Sequence, residues 1–370
     1  MKSFISFIKK EAVLSAAVLL SIISAFFVTP DAEYAGYIDY RVIALLFCLM
    51  LVVAGFKETG MFAALGSRLL KHAKNTRGLA LILVFLCFFS SMFITNDVAL
   101  ITFVPFAVML LTLTGRTSLL IPVITLQTIA ANLGSMLTPV GNPQNLYLYS
   151  AFHISIREFI LRMLPLSAIS AVLLLIGVLL LKNTPLSENT APSSSQITGG
   201  IRPTVYILLF LVCTACVSRV INYLIMLCIV VITILLCDRT LFKKVDYFLL
   251  LTFVCFFVFI GNMERIPAVS SIMSRLISGR EMLLGIGFSQ IISNVPAAIL
   301  LSGFTTNYLP LLYGVNIGGL GTLIASLASI ISFRGYCASD DAHKGNYVLT
   351  FTIYNLIFLI ILTAFCFLLL

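Results

Sequence analysis

Long apolar runs, separated by short polar segments, recur along the whole chain. A helix needs roughly 20 apolar residues to cross a bilayer core of about 30 Å. The runs therefore predict membrane-spanning helices rather than a single terminal anchor. The predicted spans lie near residues 12–28, 41–56, 160–181, 203–218, 222–236, 245–260 and 346–368, with interrupted helices at 118–150 and 315–333.

Two further apolar pairs are each folded around a polar tip. Residues 79–113 place Thr95, Asn96 and Asp97 between two arms, and residues 282–312 place Ser293 and Asn294 in the same way. Arms of about 16 residues are short for a complete crossing. We therefore predict two re-entrant hairpins whose tips reach the middle of the membrane, where irregular backbone is tolerated only beside protein or an aqueous cavity.

The polar tips have a simpler interpretation as well. Thr, Asn and Ser side chains often form hydrogen bonds between membrane helices. The segment beginning at Thr95 also has the polar residues that cap a helix N-terminus. Asp97 favours a functional role for the first tip over a purely structural one. A carboxylate at membrane depth costs at least about 2.5 kcal/mol and usually binds an ion or a proton.

Both interrupted helices contain residues that a straight helix cannot accommodate. In the first, Pro139, Gly141 and Pro143 fall within TPVGNPQN, and in the second glycines follow Asn316. Unwound backbone offers carbonyl oxygens to Na⁺, and the half-helix after the break directs its positive end at an anion. Close helix packing is the alternative role for Gly134 and Gly318.

Small hydrogen-bonding residues recur in register when the two breaks are aligned. With Asn132 placed on Asn316, the alignment pairs Thr138 with Thr322, Asn142 with Ser326, and Asn145 with Ser329. Matched halves are typical of transporters built from inverted repeats. The predicted fold is an all-α polytopic membrane protein with two inverted repeats. Residues 1–181 form the first repeat, 182–202 a polar cytoplasmic linker, and 203–370 a linking helix plus the second repeat.

Composition supports a chain dissolved in lipid. Apolar residues make up 60% of the 370 residues, charged residues only 10%, and the net charge is +9. The basic residues are spread between apolar segments, which does not favour nucleic-acid binding. Their distribution predicts a cytoplasmic N-terminus and a C-terminus outside. The first apolar stretch is long and further spans follow it, which predicts a retained first helix instead of a signal peptide.

Few residues could support a function other than transport. The nine cysteines lie singly or as the pair Cys213 and Cys216 in an apolar run, and the three histidines are far apart. We predict no cofactor and no metal beyond a possible Na⁺. An intramembrane enzyme needs a nucleophile with a base, which Asp97 lacks. A passive channel is disfavoured by repeated broken helices.

The tip TNDVALITFVPF, the loop NLGSMLTPVGNPQN and the tip SNVPAAILL together resemble the ion transporter superfamily. That superfamily includes divalent anion/sodium symporters, citrate transporters, arsenite permeases and related antiporters. The resemblance implies that each tip binds substrate and sodium, and that the hairpins and broken helices move against a scaffold, often within a homodimer. The symporters carry Ser-Asn-Thr at each tip, where this chain has Asp97 and Val295, so it looks more like the arsenite permease and antiporter branch.

The sequence thus predicts a secondary transporter in the cytoplasmic membrane that moves a small anion, a di- or tricarboxylate, coupled to Na⁺ or H⁺. Arsenite or antimonite efflux and Na⁺/H⁺ antiport are the alternatives. The predicted substrate-binding residues are Thr95, Asn96, Asp97, Thr138, Pro139, Gly141, Asn142, Asn145, Ser293, Asn294 and Thr322. The predicted coupling-ion residues are Asn96, Asp97, Asn132, Gly134, Asn142, Asn294, Asn316 and Gly318.

Overall fold

The computed structural model describes residues 11–60, 68, 73–185, 202–339 and 342–370. These residues form helices and two short 3₁₀ turns, Thr117–Leu119 and Arg239–Lys244. The predicted all-α polytopic fold is confirmed. The helices are α1 Ala12–Phe27, α2 Tyr34–Tyr37, α3 Tyr40–Glu58, α4 Thr76–Ser90, α5 Asn96–Leu113, α6 Leu120–Ser135, α7 Pro143–Ala151, α8 Ile156–Leu179, α9 Arg202–Val217, α10 Tyr223–Cys237, α11 Tyr247–Glu264, α12 Pro267–Ile277, α13 Glu281–Ile292, α14 Asn294–Ser302, α15 Tyr308–Ile317, α16 Leu327–Cys337 and α17 Lys344–Leu369.

Two sequence predictions fall partly or wholly outside the described residues. They concern the N-terminal residues 1–10, which the charge pattern places in the cytoplasm, and most of the linker at 182–202. Of the linker, Lys182 to Pro185 are described, and the Thr76 hydroxyl donates to the Lys182 carbonyl.

The long apolar helices divide into central and peripheral ones. Six of the described helical segments are long and apolar enough to cross a membrane, and six shorter apolar helices accompany them. The segment that contains α6 is 78% buried inside the protein, whereas α8 is 33% and α17 only 22% buried. Since α8 and α17 expose apolar side chains that water would not solvate, they form the face expected to contact lipid.

The first helical hairpin consists of α4 and α5. The Asn75 side chain caps α4 by accepting a hydrogen bond from the Gly78 amide, and the chain reverses between Ser91 and Thr95. Pro105 lies inside α5. Both arms pack against α6, which places the tip at the centre of the protein.

The second hairpin is shorter than the sequence predicts. Its arms are α13 and α14, and they meet at Ser293, which has a left-handed backbone with φ of 74°. The predicted end near residue 312 is wrong, because α14 stops at Ser302 and residues from Tyr308 onward already form α15. Apolar residues on both sides of the short polar segment from Thr305 to Asn307 hid this boundary.

Both interrupted helices unwind at the centre. The first is α6, a break at 136–142, and α7; the second is α15, a break at 318–326, and α16. Asn142 caps α7 by accepting from the Asn145 amide, and Pro143 occupies the first turn, where its missing N–H costs nothing. Each half-helix after a break packs on a hairpin arm from the other half of the chain. The pairs are α16 with α5 and α7 with α14.

Candidate functional site

A small cavity lies where the two hairpin tips meet the two broken helices. We call it the central cavity, and its volume is about 10 Å³, the space of one water molecule or ion. Its lining residues come from both halves of the chain. They are Asn96, Asp97, Pro143, Gln144, Leu249, Asn294, Val295, Ser326 and Leu327.

Four helix N-termini converge on the central cavity. Eight of the lining residues belong to the first turns or N-caps of α5, α7, α14 and α16, and the ninth, Leu249, comes from the start of α11. Helix N-termini carry partial positive charge and unpaired amide groups. Among the described residues, the amides of Gln144, Val295 and Leu327 have no acceptor, so they remain available to a ligand.

Charge in the cavity is sparse. Asp97 is the one ionisable side chain among the described lining residues, and no Lys or Arg joins it there. Val295 holds the matching position at the second tip and cannot ionise. The site therefore combines one carboxylate with the positive ends of several helices.

Asn132 connects the two halves at the cavity. Its side-chain oxygen accepts hydrogen bonds from Asn96 Nδ2 at 2.9 Å and from Ser326 Oγ at 3.1 Å. Its amide donates to the Gly319 carbonyl at 3.3 Å in the second break. This one side chain thereby links the first tip to the second broken helix.

A second asparagine network lies beside the first break. Asn142 Nδ2 donates to Asn316 Oδ1 at 3.3 Å and to Ser135 Oγ at 3.1 Å, and Asn316 Nδ2 donates to Asn145 Oδ1 at 2.7 Å. The Asn145 amide in turn donates to the carbonyl oxygens of Met136 and Thr138. These buried amides hold the unwound backbone of the first break in place.

Several contacts recur at equivalent positions of the two halves. The Asn96 amide donates to the Gly141 carbonyl at 3.2 Å, and the Asn294 amide donates to the Ala325 carbonyl at 3.0 Å. Gly141 and Ala325 correspond under the alignment that places Asn132 on Asn316. Each tip is thus tied to its own broken helix by the same hydrogen bond.

The threonines of the two breaks repeat this correspondence. Thr138 Oγ1 donates to the Met92 carbonyl, and Thr322 Oγ1 donates to the Gln290 carbonyl at 3.4 Å. Met92 and Gln290 lie four residues before Asn96 and Asn294. This agreement supports the predicted repeat, although its inverted orientation in the membrane stays a prediction.

Glycines allow the tips to approach the broken helices closely. A Cβ atom at Gly134 would lie 2.6 Å from Ser91 Oγ, and one at Gly318 would lie 2.8 Å from Ser289 Oγ. A Cβ atom at Gly141 would lie only 2.1 Å from the Ser135 carbonyl oxygen. The predicted coupling-ion glycines therefore have a packing role in this structure.

Some predicted site residues lie away from the cavity lining. Thr95 begins α5 without a side-chain capping hydrogen bond, and Pro139 is buried within the first break. The Thr138 hydroxyl donates a hydrogen bond to the Met92 carbonyl. Thr322 is exposed, and its amide donates to the Gln290 side-chain oxygen. Ser293 is buried directly beside the cavity, and its hydroxyl donates to the Ala325 carbonyl.

Other lining residues were absent from the predicted set. Gln144 follows Pro143 in the motif TPVGNPQN and could have been included from its polar character alone. Ser326 matches Asn142 in the repeat alignment, which was a usable signal. Leu249 reaches the cavity through the packing of α11, for which the local sequence gives no signal.

A larger cavity of about 360 Å³ lies at the other end of α7 and α14. Its lining includes Tyr37, Asp39, Tyr147, Glu264 and Ser302. The Tyr147 and Ser302 hydroxyls share a hydrogen bond of 2.7 Å, and the Tyr147 ring packs against Phe253 and Phe257. Tyr147 lies one helical turn beyond Pro143, a residue that lines the central cavity.

The architecture and the central cavity define an α-helical multi-pass membrane protein whose broken helices and hairpins enclose a small polar site. Residues 4–310 match the model of a family described as citrate transporter. The chain belongs to that family, which confirms the resemblance noted from the sequence. The protein is a membrane transporter.

Three relatives agree with this assignment. The chain is 34% identical over 336 residues to "Uncharacterized transporter MJ0456" of Methanocaldococcus jannaschii, covering 90% of this chain and 91% of that protein. It is 33% identical over 325 residues to "Inner membrane protein YbiR" of Escherichia coli K12, covering 86% of each. It is also 33% identical over 138 residues to "Silicon efflux transporter LSI3" of Oryza sativa subsp. japonica, covering 37% of this chain and 28% of that protein.

Proposed function

We propose that this transporter moves a small anion across the cytoplasmic membrane by alternating access, coupled to H⁺ or Na⁺. The observation that carries the proposal is the convergence of four helix N-termini, those of two hairpin arms and two half-helices, on the central cavity. Each N-terminus acts roughly as half a positive charge, and its free amides are oriented donors for an anionic oxygen.

Asp97 gives the proposal its coupling step. A carboxylate and an anion cannot share a cavity of this size without strong repulsion, because charges interact strongly where water is excluded. A proton on Asp97, or Na⁺ bound beside it, removes that repulsion. Anion affinity should then rise with the concentration of the coupling ion, as reciprocal linkage requires.

The cargo class that we propose is a di- or tricarboxylate. The description of the matching family supports a carboxylate. The free amides of Gln144 and Val295, together with the buried Asn96 and Asn294 side chains, would donate to its oxygens. The central cavity must widen to admit such a molecule, which alternating access provides when the hairpin tips separate from the broken helices.

A second candidate is export of a metalloid oxyacid such as arsenite or antimonite, or Na⁺/H⁺ antiport with Asp97 as the titrating group. The observation that favours it is the absence of Lys and Arg from the described lining residues, where a trianion would be expected to need one. The name of the rice relative, a silicon efflux transporter, is consistent with a small hydroxylated cargo.

Membrane placement follows from the same relatives and from the charge pattern. We propose the cytoplasmic membrane, with the N-terminus inside and the C-terminus outside, because basic residues concentrate on the segments assigned to the cytoplasm. The name of the Escherichia coli relative is consistent with an inner membrane. A homodimer is part of the proposal through the family resemblance alone.

Transport by purified full-length protein in proteoliposomes tests the proposed function. Succinate, citrate, arsenite and silicic acid are offered separately under imposed proton or Na⁺ gradients. We expect one of the carboxylates to accumulate against its gradient, with protein-free liposomes as control. Flux of a metalloid acid or Na⁺/H⁺ exchange without carboxylate flux would reject the anion proposal in favour of the second candidate.

A further inference from the structure

Hydroxyl side chains line one face of α16 from the central cavity to its far end. Ser326, Ser329, Ser332 and Tyr336 follow one another at spacings of three, three and four residues, which place them on one side of a helix. At 1.5 Å per residue they span about 15 Å. Ser326 lines the central cavity, so the series begins at the proposed cargo site.

Two neighbouring helices extend this series. Thr128 on α6 donates from Oγ1 to Ser332 Oγ at 2.7 Å, and the Tyr347 hydroxyl on α17 lies beside both. The Tyr347 ring stacks on Tyr336 with centroids 4.8 Å apart. The Tyr336 hydroxyl then accepts a hydrogen bond of 2.9 Å from the His343 amide. We call Ser326, Ser329, Ser332, Thr128, Tyr347 and Tyr336 the hydroxyl row.

Among the described residues, the row ends near the basic side chains of Arg334 and Lys344, in a segment whose sequence also contains two aspartates. Arg334 lies in the last turn of α16, and His343 and Lys344 begin the connection into α17. This end of the row is the one that the charge pattern assigns to the cytoplasm. The larger cavity lined by Tyr37 and Asp39 lies beyond the opposite side of the central cavity, so the two features face opposite sides of the membrane.

Two members of the row are buried without a well-formed hydrogen bond. The Ser329 hydroxyl is fully buried and has no partner among the described residues, and the Tyr347 hydroxyl lies beside Thr128 and Ser332 but forms no hydrogen bond of good geometry with either. Thr125, one turn before Thr128 on α6, has a third such hydroxyl. Hydroxyls that only join helices would be paired, because an unpaired buried group costs about 1–3 kcal/mol. Polar sites of this kind are where ordered water is held in proteins.

We propose that the hydroxyl row, together with water held between its unpaired hydroxyls, conducts protons between the central cavity and the surface at His343. The inference rests on the proposed function and deepens it, because it assigns H⁺ a route to the coupling site. A hydroxyl both donates and accepts, so each oxygen in the row can take a proton from one side and release its own to the other.

Charge and mass balance at every step of this route. When an O–H bond forms on the next oxygen, the O–H bond behind it breaks, and no member of the row ends with a changed charge. Among the described residues, ionisable groups near the row include Asp97 at the cavity, Cys337 and Arg334 near the end of α16, and His343 and Lys344 at the surface. No carboxylate lies along the row among the described residues, so the row favours proton relay over a resident cation.

The test compares Tyr347→Phe with the wild type in proteoliposomes that enclose a pH-sensitive dye. The variant keeps the ring stacked on Tyr336 and loses only the hydroxyl. With a cargo that the wild type carries, we expect cargo-coupled proton flux to fall by at least about tenfold, which corresponds to a barrier increase of about 1.4 kcal/mol. Exchange of labelled for unlabelled cargo, which requires no net proton movement, should stay at the wild-type rate.

Tyr354→Phe is the matched control, because Tyr354 lies on the same helix outside the row and should change neither flux. Ser332→Ala, which removes another member of the row, should reproduce the defect of Tyr347→Phe. Equal losses of exchange and proton flux in Tyr347→Phe would show a structural role and overturn the inference. Cargo transport by the wild type without proton movement would overturn it while leaving the proposed function intact. A wild type that carries no cargo would instead refute the proposed function, and this inference with it.

Discussion

Asp97→Asn is expected to reduce gradient-driven cargo transport by about 100-fold or more, the low end of what a proton-transferring side chain contributes. Asparagine keeps the size of the side chain and leaves the hydrogen bond from the residue 97 amide to Asn96 Oδ1 available. It removes the ionisable group that the central cavity holds among its described lining residues. Initial uptake rates under a proton gradient and under a Na⁺ gradient measure the effect.

The control for this substitution is Asp238→Asn. Asp238 is partly exposed and caps the 3₁₀ turn Arg239–Lys244 by accepting hydrogen bonds from Thr240, and it does not line the central cavity. We expect its transport rate to stay within about twofold of the wild type, as for surface substitutions in general. Full coupled transport by the Asp97→Asn variant would show that another group handles the coupling ion.

Gly134→Ala is expected to produce the largest loss of stability among single substitutions at the site. A Cβ atom there would lie 2.0 Å from the Phe88 carbonyl oxygen and 2.6 Å from Ser91 Oγ. The Phe88 carbonyl oxygen is a backbone atom, so the steric clash can be removed only if the hairpin moves away from α6. Overpacking of this kind costs typically 1–3 kcal/mol, and about 3 kcal/mol is expected here because the obstacle is backbone.

Gly287→Ala is the control, and it is expected to raise the stability instead of lowering it. Gly287 also lies within a helix, α13, yet a Cβ atom there would meet nothing within 4 Å. Alanine in an open helical position should stabilise by roughly 0.5–1 kcal/mol. Apparent melting temperatures of the purified variants in detergent measure both changes. Equal melting temperatures for Gly134→Ala and the wild type would mean that the hairpin is not held against α6 as described.

The general arrangement of the helices could be predicted from the sequence, because a lipid environment places simple constraints on the length and polarity of membrane segments. Apolar length identified the spanning segments, and the prolines and glycine of TPVGNPQN located the first break. The second hairpin was misjudged because its second arm and α15 form one apolar stretch, in which only the polar segment from Thr305 to Asn307 marks the turn.

Site residues were predictable where the backbone had to be irregular. Asn96, Asp97 and Asn294 lie at helix starts, and all three line the cavity. Thr322 kept its register in the alignment, but the second break carries it to the surface against Gln290. The Gln290 side chain donates hydrogen bonds to the Gly318 and Leu320 carbonyls and so supports the second break. The first half has Met92 at the equivalent position, so the sequence alignment does not predict these hydrogen bonds.

The central claim, that cargo binds where the four helix N-termini converge, is tested most directly by thiol protection at position 295. Val295→Cys is made in a transport-competent background with the nine native cysteines replaced, and Ala268→Cys on the exposed face of α12 serves as the control. Cargo at ten times its Kd should slow labelling at position 295 by about tenfold and leave position 268 unaffected. Labelling at position 295 that proceeds at the same rate with and without saturating cargo would contradict the assignment of the cargo site to the central cavity.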